Sequence, residues 1–212
     1  MAMKVRIAVM ASLVALLLAA PTAVLWAAEP QAVLQGPMEE ALSILRDPQY
    51  KEASRRAEQR RLIWEVIFKV FDFQEVSRRA LARDWGNLTP DQQQEFTQVF
   101  SDVLGNVYLD RIQGAYQDET LAYLAEVIHE SKPLAVVKTH VVRKSGNIPV
   151  DYSLHKTADG WRVYDVKVEG VSLIKNYRTQ FQEILSKGSP AQLIDRLKEK
   201  LAEQRKNLDT QS

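Results

Sequence analysis

The chain has no cysteine among its 212 residues. That excludes a disulfide framework, thiolate metal ligands and a lipid-modified cysteine after an export signal. An oxidising compartment is still permitted, since it allows disulfides without requiring them. Histidine is almost as scarce: His129, His140 and His155 are all there are. None stands in an HxH or HExxH spacing. If consecutive strands pair as a meander, His129 and His155 lie about 10 Å apart across a middle strand, too far for one metal. No metal site is expected, and the histidines read as exposed sheet residues. A GxSxG nucleophile elbow and the GxGxxG and GxxxxGK phosphate loops are missing, as are repeats and low-complexity segments. An excess of one charge is missing too. The 28 basic side chains face 27 acidic ones, so no global basic field points to nucleic acid.

What is present begins with a leader. Lys4 and Arg6 precede an apolar run over residues 7–20, broken only by Ser12 and followed by Pro21. This is the pattern of a secretory signal peptide, and residues 1–28 are read as one. Ala27 and Ala28 suit the cleavage position, and cleavage after Thr22 or Ala23 is the other choice. An uncleaved anchor is the alternative, because the stretch is just long enough to span a bilayer. The remainder suffices for one well-buried domain. Residues 29–36 read as a disordered lead, 37–206 as the single domain and 207–212 as a disordered tail.

Helical spacing runs from about residue 37 to 46, where Asp47 and Pro48 interrupt it, and resumes from about 50 to 71. The first half of this second segment is basic, with Lys51, Arg55, Arg56, Arg60 and Arg61. It is a solvated face or, on the sharper reading, a docking patch for an acidic partner. Its second half, from Leu62 to Phe71, is apolar nearly all round, which implies burial on more than one side. Asp72 is placed to cap the next helix, with Glu75 as its partner in a box-like pair. Val76, Ala80 and Leu81 give that helix its apolar side, Trp85 sits near its end, and Gly86 and Asn87 are stop signals. Thr89, Pro90 and Gln92 open another helix, whose stripe includes Phe96, Phe100, Leu104, Tyr108 and Ile112.

After Tyr116 the period changes to two. Strands are predicted at about 121–131, 134–144, 148–157 and 161–169, joined by links short enough for an antiparallel meander. Alternation places Val137, Thr139 and Val141 on one face of the second strand. It places Ile148, Val150, Tyr152 and Leu154 on one face of the third. In the fourth it sets Tyr164, Val166 and Val168 against Trp161, Val163 and Asp165. Gly170 ends the extended run, and Ser172 caps a helix carrying Leu173, Ile174, Tyr177 and Phe181. Gly188, Ser189 and Pro190 separate it from a last helix with Leu193, Ile194, Leu197 and Leu201. The fold class is α+β, a four-stranded antiparallel sheet with about six helices on one face.

Ser172 is better explained as a cap than as a nucleophile. Asp165 and Tyr152 are the one acid/base pair a sheet-lined pocket enzyme would use. Large apolar side chains on nearly every element read by composition as ordinary core, although Ala125, Thr139 and Ser153 leave room among them.

Two motifs carry a family resemblance. Asp165, Val166, Glu169, Gly170, Val171, Ser172, Leu173, Asn176, Tyr177, Arg178, Gln180 and Phe181 resemble the most characteristic motif of the MlaC family, the toluene-tolerance-type periplasmic phospholipid-binding proteins. The FDF of Phe71, Asp72 and Phe73, with Ala80, Leu81 and Trp85 behind it, is similar to a second. The order of elements agrees from about residue 37 to 201. The resemblance implies a curved sheet cradled by helices, of the cystatin or nuclear-transport-factor kind. It implies a periplasmic, non-enzymatic carrier of glycerophospholipid, monomeric and without a cofactor, that maintains outer-membrane lipid asymmetry. The implied partners are an inner-membrane ABC transporter with MlaD-type subunits and an outer-membrane MlaA-type lipoprotein–porin complex. The residues expected to line the lipid pocket are Val137, Thr139, Val141, Val150, Tyr152, Leu154, Tyr164, Val166 and Val168 from the sheet. From the helices they are Leu81, Trp85, Phe100, Leu104, Tyr108, Val171, Ile174 and Tyr177. Arg178 is expected to pair with Glu169 or Asp165 rather than meet a headgroup. A pocket enzyme and a periplasmic chaperone without a small ligand are the competing readings.

Overall fold

The structure, a computed structural model, describes residues 29–211. The leader assigned to 1–28 lies outside the described residues. Helix α1 spans Pro30–Arg46, seven residues earlier than the spacing suggested, so no disordered lead precedes Pro37. Leu34 explains the difference: it is fully buried against the sheet with Val70, Ala135 and Val163, and that contact orders the segment around it. Two short 3₁₀ turns follow, and α2 begins at Arg56 rather than near residue 50, ending at Val70. Helix α3 covers Phe73–Leu81 and α4 covers Pro90–Ala115. Trp85 lies beyond α3, in a 3₁₀ segment.

The caps form largely as their chemistry dictates. Thr89 Oγ1 accepts from Gln92 N–H while Gln92 Oε1 accepts from Thr89 N–H, a complete capping box. Asp72 accepts from Glu75 N–H at 2.9 Å, but Glu75 does not reach back: its carboxylate binds Arg78 and Arg79 instead. Those hydrogen bonds and charges hold the Glu75 carboxyl below its ordinary value against a desolvation that pushes it up.

Strands β1 (Thr120–Ile128), β2 (Leu134–Val142), β3 (Ile148–Thr157) and β4 (Gly160–Val168) form the antiparallel meander. A fifth strand, β5, of only Val171–Ser172, pairs with the end of β4; two residues are too few to show a period. The link is a two-residue hairpin in which Glu169 and Gly170 both take positive φ, 50° and 81°. Gly170 meets that demand without strain and Glu169 does not. Helix α5 (Leu173–Leu185) follows at once, and α6 runs Pro190–Gln211, so the helix continues past residue 206, where a tail was expected. Ser189 and Gln192 cap it reciprocally.

The β4 face assignment needs correction. Ser153 pairs with Asp165 and Leu154 with Val163, leaving Tyr164 as an extra residue. This bulge reverses the alternation. Trp161 and Val163 before it therefore share the helix-covered face with Val166 and Val168 after it, rather than opposing them. A similar bulge at Leu124 shifts β1.

The interior is divided. One end of the sheet packs Ala135, Val137, Leu154, Trp161 and Val163 under α1 and the end of α2. The helices α3, α4, α5 and α6 enclose their own core around Phe96, Phe100, Tyr177 and Phe181, with Phe100 and Tyr177 edge to face at 5.0 Å. Between the two lies space that neither core fills.

Candidate lipid-tail cavity

That space is a cavity of about 510 Å³. Its floor is Val141, Val150, Tyr152, Tyr164 and Val166 of the sheet. Its roof is Trp64 and Ile67 of α2 with Leu104, Gly105, Tyr108 and Leu109 of α4, and Phe71, Phe73 and Val76 close one side. Ile174 and Leu173 of α5 complete the wall. The exposed lining residues, among them Arg111, Ile112, Val168 and Val171, mark its mouth.

The two motifs hold this wall in place. In the first, Phe71 bridges to Val163, and Asp72 N–H donates to Val163 C=O at 2.9 Å, which fastens the start of α3 to the β4 edge. The Phe71 and Phe73 rings stack at 5.6 Å and both face the cavity. His155 Nε2 lies 3.0 Å from Asp72 Oδ2, so His155 is a partly buried joint rather than an exposed sheet residue. In the second motif, the buried Asp165 carboxylate accepts from Ser172 Oγ at 2.6 Å and from Ile174 N–H at 3.1 Å. Ser172 Oγ in turn accepts from Lys175 N–H. Arg178 pairs with neither Glu169 nor Asp165; its Nε donates to Arg79 C=O at 2.9 Å and ties α5 to α3. Arg79 itself sits 3.7 Å over the Tyr164 ring, which steadies the bulge residue. Asp165→Ala would leave Ile174 N–H and Ser172 without their acceptor. We expect a loss of about 1.5–3 kcal/mol, the range for hydrogen bonds to a charged group, read as a lower urea midpoint at unchanged m-value.

Asp165 spends both oxygens on these structural bonds, so it holds α5 and is not poised as the base of an acid/base pair. Tyr152 faces the cavity, and burial pushes its phenol well up from the usual value, with Tyr123 adding to the shift. Among the described residues, no three His, Asp or Glu side chains gather to hold a metal.

The seventeen side chains expected at the pocket divide. Leu104, Tyr108, Val141, Val150, Tyr152, Tyr164, Val166, Val168, Val171 and Ile174 line the cavity. Leu81, Phe100 and Tyr177 are instead buried in the helical core, with Trp85 packed against it. Val137 and Leu154 are buried under α1, and Thr139 is buried with its hydroxyl donating to Val150 C=O at 2.7 Å. Trp64, Ile67, Phe71, Phe73 and Gly105 were not anticipated as lining. The signal for the first three lay in the all-round apolar stretch from Leu62, which serves core on one side and cavity on another. Gly105 had its own signal, a glycine inside a 26-residue helix: a Cβ there would come within 3.0 Å of the Trp64 ring.

A second recess, of about 540 Å³, shares Trp64, Gly105 and Leu109 with the first, so these residues form a partition. It is lined by Arg56, Arg60, Arg61 and Arg205. Three of these cations are already paired: Arg60 with Asp110, Arg61 with Glu65 and Arg205 with Asp102. The basic half of α2 is therefore largely neutralised by its own neighbours, which weakens the docking-patch reading.

The family profile of the MlaC protein matches residues 35–199. Among solved structures, the chain is similar to a phospholipid-binding protein from Ralstonia solanacearum, solved in complex with a phospholipid. The two are 26% identical at a TM-score of 0.73, over 84% of this chain and 99% of that one. No curated protein matches the chain.

Proposed function

The chain belongs to the MlaC family, and from that premise we propose that it is a periplasmic carrier that holds a glycerophospholipid by its acyl tails. The observation that carries the reading is the largely apolar cavity between β2–β4 and α2/α4, whose one carboxylate, Asp165, is committed to Ser172 and Ile174. The likeness to a protein solved with a phospholipid supports it. So does the leader pattern of Lys4, Arg6 and the apolar run, which suits export. Among the described residues no helix is long and apolar enough to cross a membrane.

The physics suits a shuttle. Two acyl tails carry roughly 30 methylenes, each costing about 0.8 kcal/mol to expose to water, so spontaneous release is negligible. A dry apolar cavity and a bilayer core are nevertheless similar solvents, so exchange between them is close to balanced. Direction must come from partners. In this reading they are an inner-membrane ABC transporter with MlaD-type subunits and an outer-membrane MlaA-type lipoprotein–porin complex, and the outcome is maintained outer-membrane lipid asymmetry. Mass spectrometry of an organic extract of the purified protein tests the proposal. Glycerophospholipid near one per chain is expected, and an extract free of it contradicts the carrier.

A further inference from the structure

Among the described residues, the cavity lining contains only two charged side chains, Arg111 and Asp165. Asp165 is buried and committed to Ser172 and Ile174. Arg111 differs in every respect. It stands near the end of α4, exposed at the mouth, and has no carboxylate partner within ion-pair distance among the described residues. Its recorded contact is with a ring: the guanidinium lies 5.9 Å from the Tyr108 centroid. Its charge also reaches the phenols of Tyr108 and Tyr177. It draws both down while desolvation, the larger effect, raises them, Tyr177 to about 12. The cation is thus held beside the upper wall of the cavity and is not spent on an ion pair. The other exposed residues of the lining are uncharged: Ile112, Val168, Val171 and Asn176. By contrast, most arginines of the neighbouring recess are matched to acids.

We propose that Arg111 is the anion subsite of this cavity: it holds the phosphate diester of a glycerophospholipid at the mouth while the acyl chains occupy the apolar interior. This rests on the carrier reading and adds a headgroup contact to it. A guanidinium offers two parallel N–H donors to a phosphate, a geometry that lysine does not reproduce. The apolar interior already sets tails-first entry, because a phosphate buried there would lie without partners, but it does not tell one diacyl lipid from another. A single unpaired cation at the opening separates a phospholipid from a diacylglycerol with the same chains.

The test is competition against a fluorescent fatty-acid probe on delipidated protein, with dioleoyl-phosphatidylglycerol and dioleoylglycerol as competitors. The readout is the ratio of their affinities, so the tails cancel. The parent chain is expected to favour phosphatidylglycerol by about fivefold, between an exposed ion pair and a charged hydrogen bond. Arg111→Glu should abolish or invert that preference and Arg111→Lys should retain only part of it, both at an unchanged melting temperature because the side chain is exposed. An unchanged ratio in Arg111→Glu overturns the subsite while leaving the carrier intact. Displacement by neither lipid in the parent overturns both. Excess inorganic phosphate should leave the ratio unaltered. If the parent shows no preference between the two lipids yet binds inorganic phosphate in a way that Arg111→Glu abolishes, the guanidinium takes free phosphate and the lipid source is overturned.

Discussion

Replacing Val166 by tryptophan is expected to empty the cavity without unfolding the protein. Val166 is only half-buried by protein atoms and faces the cavity of about 510 Å³. An indole there has somewhere to go. Where a core is already full, overpacking costs about 1–3 kcal/mol or more; here most of that cost is avoided because the ring enters space that tails would otherwise occupy. The melting temperature should move by no more than about 4 °C, the shift that 1 kcal/mol produces in a domain of this size. The phospholipid recovered per chain should fall by more than half. Val150→Trp should act in the same direction with a larger stability cost, since Val150 is 7% exposed and closer to the packed part of the sheet. A folded Val166→Trp chain with full lipid occupancy would mean that the tails lie elsewhere.

The opposite outcome is expected at Phe100. It is 0% exposed and packs against Phe96, Tyr177 and Phe181 with ring centroids 5.0–5.4 Å apart. It belongs to the helical core and not to the cavity wall. Phe100→Ala should cost about 3–5 kcal/mol, or roughly 6–20 °C in melting temperature. The lipid carried per folded chain should stay near that of the parent. The pair of variants separates wall from core: one loses cargo and keeps stability, the other loses stability and keeps cargo.

The sequence carries the local structure better than the division between wall and core. The Thr89–Gln92 box, the Asp72 and Ser172 caps and the break at Gly170 are readable because each depends on chemistry within a few residues. The α+β class follows from where the period changes. The faces of β4 are not readable, because one extra residue, Tyr164, reverses the alternation, and nothing local marks a bulge. Strand β5 is too short to have a pattern. Leu81 and Leu104 lie on different sides of the division, one in the helical core and the other also on the cavity wall. Both are leucines on apolar helix stripes, and only the third dimension distinguishes them. Arg178 shows the same limit: an acid near in sequence suggested a pair, and a carbonyl 99 residues away took the hydrogen bond.

The family motifs also gain a physical meaning. Neither supplies a reactive group. The Phe71–Phe73 segment pins α3 to the sheet edge, and the Asp165–Ser172 pair pins α5 beside it. Together they fix α3 and α5 against β4 beside the cavity.

The most direct test of the central claim, that acyl chains occupy this cavity, is a set of intermolecular nuclear Overhauser effects between bound phospholipid and labelled methyl groups. Cross-peaks from acyl methylenes to Val150, Val166 and Leu104 are predicted, with none to Val137, Leu154 or Leu81. Cross-peaks to the second set, or none to the first in a lipid-loaded sample, would contradict it.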